Sequence, residues 1–203
     1  MTPKFFDRAY GTEGQEATNQ LYIDWADSYD EEVGSYGYAS PRRCAEALVQ
    51  FLPKDAEILD FGCGTGLSGK ALRSVGFTTI DGSEIVPEML EKARAIGAYR
   101  ALYEGDIEHP FDFDPGAYAA ITAVGVISSG AGPASLLREG LLALKKDGLI
   151  CFSYNDHALE DPPYPQAVED VLADGLAEQL FCEYGDHLPT KNVGSNVYVL
   201  KRL

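Results

Sequence analysis

The sequence contains few cysteines and histidines, and it has no long apolar run. The cysteines and histidines are too scattered to form a CxxC pair or a metal-ligand cluster, so we predict reduced, mostly buried thiols and no metal site. These residues are Cys44, Cys63, Cys151 and Cys182, with His109, His157 and His187. No run of about 18 apolar residues occurs, so we expect no membrane span. The first residues lack the apolar core of a signal peptide, which favours a cytoplasmic location.

Basic residues are also scarce. The chain has 16 Lys and Arg against 32 Asp and Glu, for a formal net charge of −16. Nucleic-acid binders need clustered basic side chains to neutralise phosphates, and no such cluster is visible. The charge therefore argues against a nucleic-acid partner and favours a small-molecule substrate. The 203 residues, 45% of them hydrophobic, predict one globular domain spanning 1–203.

Short apolar runs alternate with helical stretches from residue 58 onward. The predicted strands are 58–61, 77–80, 100–103, 118–124, 149–154, 179–184 and 197–200. The predicted helices between them are 67–75, 87–96, 133–144 and 166–173. This alternation predicts an α/β fold with a doubly wound, seven-stranded, mostly parallel sheet. The last two strands, joined by a loop at about 185–196, predict an antiparallel C-terminal hairpin.

The first 40 residues are rich in aromatic and acidic side chains. Apolar residues within 19–30 follow a helical spacing. A second helix is predicted to begin at Ser40-Pro41 and to stop at Pro53, because Pro is favoured at the first helical position. We expect residues 1–40 to form an N-terminal helical segment.

The most informative segment is a glycine-rich turn between a predicted strand and a predicted helix. It contains Gly62, Gly64 and Gly66. Glycines allow a ligand to approach the backbone closely, and amides at the helix start face that ligand. Residues 64–69 also match GxGxxG, the dinucleotide fingerprint. The match is out of register, because Gly62 occupies the strand end and Asp60 places a carboxylate where a diphosphate would be repelled.

The segment Leu59-Asp60-Phe61-Gly62-Cys63-Gly64-Thr65-Gly66 resembles the first motif of class I S-adenosylmethionine-dependent methyltransferases. Residues 80–90 resemble the segment that closes the second strand in that family. Residues 22–30 and 36–41 are similar to the methyltransferase-like proteins named after the Williams–Beuren syndrome region and to their bacterial relatives. The resemblance covers about residues 20–155 and implies S-adenosylmethionine as cofactor, without indicating the methyl acceptor.

The resemblance also implies a set of cofactor-binding residues. Counting back from Met89 favours Glu84 over Asp81 as the ribose-binding acid, which leaves Asp81 as a strand-end or surface acid. Asp106 and the amide of Ile107 would meet the adenine, and Ile85 would pack on its face. Asp60 would orient the glycine loop and the methionine ammonium, and the backbone near Gly125 would complete that pocket. Trp25 and Tyr29 are interpreted as lid residues, the alternative being a helix packed on the sheet edge.

One tetrapeptide is interpreted as structural. Asp161-Pro162-Pro163-Tyr164 spells the DPPY motif of adenine-methylating enzymes, where it follows the fourth strand. Here it follows the fifth, so we interpret it as a break between a strand and a helix that begins near Gln166.

No residue is assigned as a catalytic base. The candidates on loops after the strands, where open α/β sheets bind ligands, are Ser128, Ser129, Asn155, Asp156 and His157, with Tyr36 and Tyr38 from the N-terminal segment. His157 alone among them has an ordinary pKa near neutrality. Two other functions stay open at this point: an NAD(P)-dependent oxidoreductase and a non-catalytic interaction protein.

Overall fold

The computed structural model describes residues 5–9, 11–12 and 14–203, apart from the side chains of Asp7 and Gln15. Residues 1–4, 10 and 13 of the predicted N-terminal segment lie outside the described residues.

The described residues form one seven-stranded sheet in the order β3-β2-β1-β4-β5-β7-β6. The strands are β1 Glu57–Phe61, β2 Thr79–Glu84, β3 Ala101–Glu104, β4 Ala120–Val124, β5 Leu149–Asn155, β6 Ala177–Leu188 and β7 Val193–Arg202. β1 to β5 pair in parallel, and β7 runs antiparallel to both β5 and β6. The predicted sheet and its antiparallel hairpin are confirmed.

Helices flank this sheet. Within the described part of the chain they are α1 Phe5–Ala9, α2 Gln15–Trp25, α3 Tyr29–Ser35, α4 Ser40–Leu48, α5 Leu67–Ser74, α6 Pro87–Ile96, α7 Ser135–Ala143, α8 Asp156–Glu160 and α9 Pro163–Ala173. α6 matches its prediction because Pro87 starts it and Gly97, in the left-handed conformation, ends it. None of these helices is long and apolar enough to cross a bilayer.

Two apolar clusters fill the two faces of the sheet. Alternate residues of a strand point to opposite faces, so Phe152 joins one cluster and Cys151 the other. The first cluster includes Leu137 of α7 and Val168 of α9, and the second includes Leu48 of α4. Every residue of β5 is buried, which accounts for its mostly apolar sequence.

Three strands, β2, β6 and β7, differ from their predicted ranges by up to four residues at one end. β2 occupies 79–84 instead of 77–80, because its polar second half finds partners inside the fold. The predicted loop at 185–196 is largely strand, since β6 and β7 are joined by a single 3-10 turn at Pro189–Lys191. β6 is an edge strand with an exposed face, and it therefore contains many polar residues. A prediction based on apolar runs misses such residues.

The helix boundaries also shift. The region predicted as one helix around 19–30 is split into α2 and α3 by a turn at 26–28. α4 ends at Leu48, four residues before the predicted end, because the amide of Phe51 bonds the Leu48 carbonyl in a tighter turn. α8 was not predicted, and α9 begins at Pro163 instead of near Gln166.

Candidate cofactor site

A cavity of about 440 Å³ opens at the carboxyl ends of the parallel strands, where the strand order reverses between β1 and β4. Open α/β sheets bind ligands at such a point, because the loops from the two neighbouring strands diverge there. Eight of the predicted site residues line this cofactor cavity. They are Tyr29, Gly62, Gly64, Glu84, Ile85, Asp106, Ile107 and Gly125.

The three glycines of the turn differ in what surrounds them. All have positive φ, a conformation that favours glycine. A Cβ on Gly64 would meet no atom within 4 Å, so its backbone borders open space in the cavity wall. A Cβ on Gly62 would come within 2.5 Å of the Val126 side chain. A Cβ on Gly66 would lie 3.1 Å from the Ala93 backbone, so Gly66 serves the packing of α6 and does not line the cavity.

Glu84 is the last residue of β2, and its side chain is hydrogen-bonded to the glycine turn. Its Oε2 accepts a hydrogen bond from the Gly64 amide at 2.9 Å, and its Oε1 accepts one from the Val86 amide at 3.0 Å. Each carboxylate oxygen has a second lone pair that remains available to a ligand. Burial raises the pKa of the Glu84 carboxyl, and the two amide bonds oppose this.

The cavity wall offers a further polar atom beside Glu84. The Ser83 hydroxyl is buried and has no hydrogen-bond partner among the described residues. Buried polar groups are normally bonded, so a ligand hydroxyl in the cavity would satisfy it. A vicinal diol placed against Ser83 and Glu84 therefore fits the groups present.

The charge of the cofactor cavity has one sign. The described residues that line it include four acids and no Lys, Arg or His. The acids are Glu84, Asp106, Glu108 and Glu139. Such a wall attracts a cation and repels a diphosphate.

Asp106 lies in the loop after β3, and its carboxylate accepts hydrogen bonds within that loop. Its Oδ1 accepts hydrogen bonds from the amides of Glu108 and His109 at 2.8 and 3.3 Å. The Glu108 amide is the largest cause of a lowered Asp106 pKa. The Ile107 side chain beside it is half exposed to the cavity mouth, at 52%.

Asp60 is fully buried behind the glycine turn and does not line the cofactor cavity. Its carboxylate accepts hydrogen bonds from Ser68 Oγ, Tyr99 Oη and Thr122 Oγ1 at 2.5–2.8 Å. Burial raises its pKa, against these bonds. This geometry fixes the start of α5 and supports the predicted role in orienting the loop. The predicted contact with the methionine ammonium stays a prediction.

The N-terminal segment covers the carboxyl edge of the sheet. Asp30 of α3 accepts a hydrogen bond from the Thr65 hydroxyl in the glycine turn at 2.5 Å. Tyr29 packs edge-on against Trp25, with ring centroids 4.7 Å apart. Trp25 is only 2% exposed and lines a second, smaller cavity instead of the cofactor cavity.

The family of methyltransferase domains matches residues 36–190 of the sequence. This span holds the glycine turn, Glu84 and the first six strands. The chain belongs to the methyltransferase domain family. The sequence-based prediction of a class I S-adenosylmethionine-dependent methyltransferase is thereby confirmed at the level of the family, and with it the cofactor that the family uses.

Individual relatives agree with this assignment. Human methyltransferase-like protein 27 is 35% identical over 156 residues, which cover 75% of this chain and 63% of that protein. A possible histamine N-methyltransferase from Thermotoga maritima superposes with a TM-score of 0.61 at 16% identity, covering 91% of this chain and 99% of the other. The [4+2]-cyclase SpnF superposes equally well, with a TM-score of 0.61 at 15% identity, over 79% of this chain and 81% of its own. Likenesses at such low identity show the fold alone.

The methyltransferase buries Asp81, contrary to the prediction of a strand-end or surface acid. Asp81 is 2% exposed and accepts hydrogen bonds from Arg100 at 2.7 and 2.9 Å and from Tyr118 at 3.0 Å. Burial raises its pKa, but the bonds from Arg100 and Tyr118 outweigh burial and the net shift is downward. Asp81 therefore has a structural role and does not line the cofactor cavity.

The predicted candidates for a base have different surroundings, and one of them, Tyr36, is buried outside both cavities. Asn155 caps α8 by accepting the Ala158 amide at 3.0 Å, and Asp156 accepts from Tyr184 Oη and the Gly194 amide. His157 is exposed. Ser128, Ser129, Asn155 and Tyr38 line the second cavity. The DPPY segment joins α8 to α9, where Asp161 accepts a hydrogen bond from Ser129 Oγ at 2.7 Å and Tyr164 packs in the core; its interpretation as structural stays a prediction.

Several site residues of the methyltransferase were not predicted. Tyr22 and Ser83 line the cofactor cavity, and burial, with the charge of Glu84, raises the pKa of Tyr22 to about 12. His187 lines the second cavity from the end of β6. Ser83 could have been predicted as a site residue, because it is a polar residue directly before Glu84. No local signal marks His187. No cluster of three metal-binding side chains occurs in the described ranges.

Proposed function

We propose that this chain transfers a methyl group from S-adenosylmethionine to a small-molecule acceptor. The observation that carries the proposal is Glu84, which lines an acid-walled cavity while its carboxylate bonds the Gly64 amide. A carboxylate at this place suits a ribose diol, and the four acids of the cavity wall together attract a sulfonium and oppose a diphosphate. This is why we favour a methyltransferase over the NAD(P)-dependent oxidoreductase.

The residues present fit the cofactor in three parts. Glu84 and the orphaned Ser83 hydroxyl would hold the ribose. Ile85, Asp106 and Ile107 would hold the adenine. The backbone of the glycine turn and Gly125 would hold the methionine end, with Asp60 supporting the turn from behind.

The chain's own part in the reaction is to bind and to orient. When bound, the cofactor would supply a methyl group activated by its sulfonium. The lone pair of the acceptor would take this group as the carbon–sulfur bond breaks with its electrons staying on sulfur, and a proton on the accepting atom would leave to solvent. Holding the two reactants in line is the main contribution that such a site makes. Tyr22 and Tyr29 exclude water at the place where the cavity wall meets the N-terminal segment.

The net charge of the chain and the helices that enclose the site support a small acceptor. The net charge of −16 repels polyanions. Helices α2 and α3 lie over the carboxyl edge, and α2 packs against α6. We further propose that residues 1–203 form one methyltransferase domain with 1–40 covering the site. The match to human methyltransferase-like protein 27 supports membership of the predicted subgroup, although the chain spans only 63% of that protein's length.

Thermal-shift measurements test the cofactor. We expect S-adenosylhomocysteine to raise the melting temperature by several degrees and NAD and NADP to leave it unchanged, because a ligand stabilises the state that binds it. Stabilisation by NAD or NADP instead would contradict the proposal. Binding of S-adenosylhomocysteine without turnover across a broad metabolite panel would favour the interaction-protein alternative.

A further inference from the structure

Two buried carboxylates at the cofactor cavity lack a positively charged partner. Asp60 is fully buried behind the glycine turn, and Glu84, in the cavity wall, is only 9% exposed. Hydroxyl groups bond the first and backbone amides bond the second. Among the described residues, no Lys, Arg or His forms an ion pair with either. A buried charge without an opposite charge is costly, and a cation in the cavity would reduce that cost.

The charges of these two carboxylates act on the same space. Asp60 of β1 pairs with Gly82 of β2, two residues before Glu84. After burial, which is the largest cause, the charge of Asp60 helps to raise the pKa of the Glu84 carboxyl. Burial and, after it, the charge of Glu84 raise the pKa of Tyr22 to about 12. Because Tyr22 lines the cavity, the negative potential of these acids reaches into it.

Two exposed acids add to this charge from the cavity wall. Glu108 follows β3 and Glu139 lies on α7, and neither has an ion-pair partner in the part of the chain that the structure describes. Asp106 differs from them, since His109 Nδ1 lies 3.4 Å from its Oδ2. Water and salt screen exposed charges more strongly than the buried charge of Glu84. The cavity therefore has uncompensated negative charge both where it is buried and where it meets solvent.

The donor and the product of the proposed reaction differ by one unit of charge. S-Adenosylmethionine carries a sulfonium, whereas S-adenosylhomocysteine carries a neutral thioether. The nucleoside, the ammonium and the carboxylate are the same in both molecules, so the contacts of these groups cancel when the two affinities are compared. The ratio of the two dissociation constants therefore reports on the extra positive charge and on the methyl group that accompanies it.

We infer that this site binds S-adenosylmethionine more tightly than S-adenosylhomocysteine, because its uncompensated acids favour the extra positive charge of the donor. The inference rests on the proposed function, since it requires the cofactor to occupy this cavity. Methyl transfer would leave the bonding electrons on sulfur and convert the sulfonium into a neutral thioether. The acids would lose their counter-charge at that step, which favours release of the product. The preference would thus protect the enzyme from inhibition by accumulated product.

Three ligands of nearly one shape test the role of charge by calorimetry. S-Adenosylmethionine is a cation at sulfur, sinefungin bears a protonated amine in place of the methylated sulfur, and S-adenosylhomocysteine is neutral there. In about 50 mM salt we expect both cations to bind at least about fivefold more tightly than S-adenosylhomocysteine. The preference should shrink about twofold or more in about 500 mM salt, because salt screens the acids.

Two results would overturn the inference. Equal or tighter binding of S-adenosylhomocysteine would show that the acids do not favour the donor. A preference for S-adenosylmethionine that sinefungin does not share would show that contacts of the methyl group, and not its charge, cause the difference.

Variants locate the charge, with the ratio of the two dissociation constants as the readout. Glu84→Gln weakens the ribose contact for both ligands, but we expect it also to lower the preference for the donor about threefold or more. Glu108→Gln combined with Glu139→Gln should lower the preference about twofold and leave the affinity for S-adenosylhomocysteine unchanged. The matched control combines Glu160→Gln with Glu169→Gln, two exposed acids outside the cavity wall, and keeps the wild-type ratio. An unchanged ratio in either cavity variant, or an equal fall in the control, would refute the inference.

The wild-type protein separates the two levels of failure. If none of the three ligands binds, the proposed function and this inference fail together. If S-adenosylhomocysteine binds as tightly as S-adenosylmethionine, the inference alone fails and the assignment of the cofactor stands. Binding of S-adenosylhomocysteine also serves as the folding control for each variant.

Discussion

Glu84 and Gly64 are joined by a hydrogen bond of 2.9 Å from the Gly64 amide to Oε2 of the carboxylate. The bond couples the end of β2 to the glycine turn after β1, so the two parts of the chain that resemble cofactor-binding motifs also hold each other. The carboxylate is buried, which raises its pKa and makes a cationic ligand beside it favourable.

Glu84→Ala removes both the proposed ribose contact and the support of the glycine turn. We expect the affinity for S-adenosylhomocysteine to fall at least about tenfold, because bonds to a carboxylate contribute about 1.5–3 kcal/mol each before desolvation. Calorimetry measures the change. Glu88→Ala, at an exposed position four residues later in α6, is the control and keeps wild-type affinity. Unchanged affinity in Glu84→Ala would reject the ribose-binding role.

Gly64→Ala tests whether the turn backbone touches the cofactor. The new Cβ would enter the cavity, where no protein atom lies within 4 Å. Gly97, at the end of α6, also has positive φ and open space around it, but it lies outside the cavity wall. Both alanine variants lose about 1–2 kcal/mol of unfolding free energy from strain in the left-handed region. We expect only Gly64→Ala to lose cofactor affinity; equal affinities by calorimetry would contradict that contact.

Thr65→Val cuts the hydrogen bond that ties the N-terminal segment to the glycine turn. The methyl group replaces the hydroxyl at similar volume, so the expected effect is local. Amides of α3 should exchange with deuterium several-fold faster, because opening this segment then breaks one bond fewer. The matched control is Thr78→Val, whose exposed hydroxyl bonds only the Lys54 carbonyl at 3.3 Å. Identical α3 exchange in both variants would show that the bond does not hold the segment.

His187 makes the stability depend on pH in a definite window. Burial is the largest cause of its lowered pKa of about 4; Arg43 and His157 lower it further and Asp156 opposes them. The unfolded value is about 6.5. Between these values the unfolded chain binds more protons, so stability is complete above about 6.5 and falls by up to about 3 kcal/mol as pH drops to about 4.

His187→Gln removes this dependence. Urea unfolding, followed by circular dichroism at pH 7, 6, 5 and 4, measures it as the difference between variant and wild type. We expect that difference to shrink toward acid pH. A His187→Gln slope parallel to that of the wild type would show that the imidazole is protonated as easily in the fold as outside it.

The sequence predicted the parts of the site that depend on neighbours in the chain. The strand, glycine turn and helix from Leu59 onward form one local unit, and Glu84 was placed by counting from Met89. β2 was nevertheless predicted too early, because its acids find partners outside the strand: Arg100 and Tyr118 bond Asp81, and the amides of Gly64 and Val86 bond Glu84. Asp81 was misjudged for the same reason: Arg100 is 19 positions away and invisible to any local pattern.

The second cavity could not have been predicted in this way. His187 meets Ser40 across 147 positions of sequence, and the extended β6 that carries it was predicted to end at 184. An isolated histidine in a polar stretch has no periodicity and no motif. Only the pairing of β6 with β7, and of β7 with β5, brings it to the carboxyl edge.

The β6–β7 hairpin contributes to one cavity and leaves the other untouched. His187 and Leu188 line the smaller cavity, whereas the described walls of the larger one draw only on residues up to Glu139. The end of β6 therefore contributes to the smaller cavity alone, although Tyr22, Tyr29 and Gly125 belong to both walls. Substitutions confined to the end of β6 would reshape the smaller cavity and leave the described wall of the cofactor cavity unchanged.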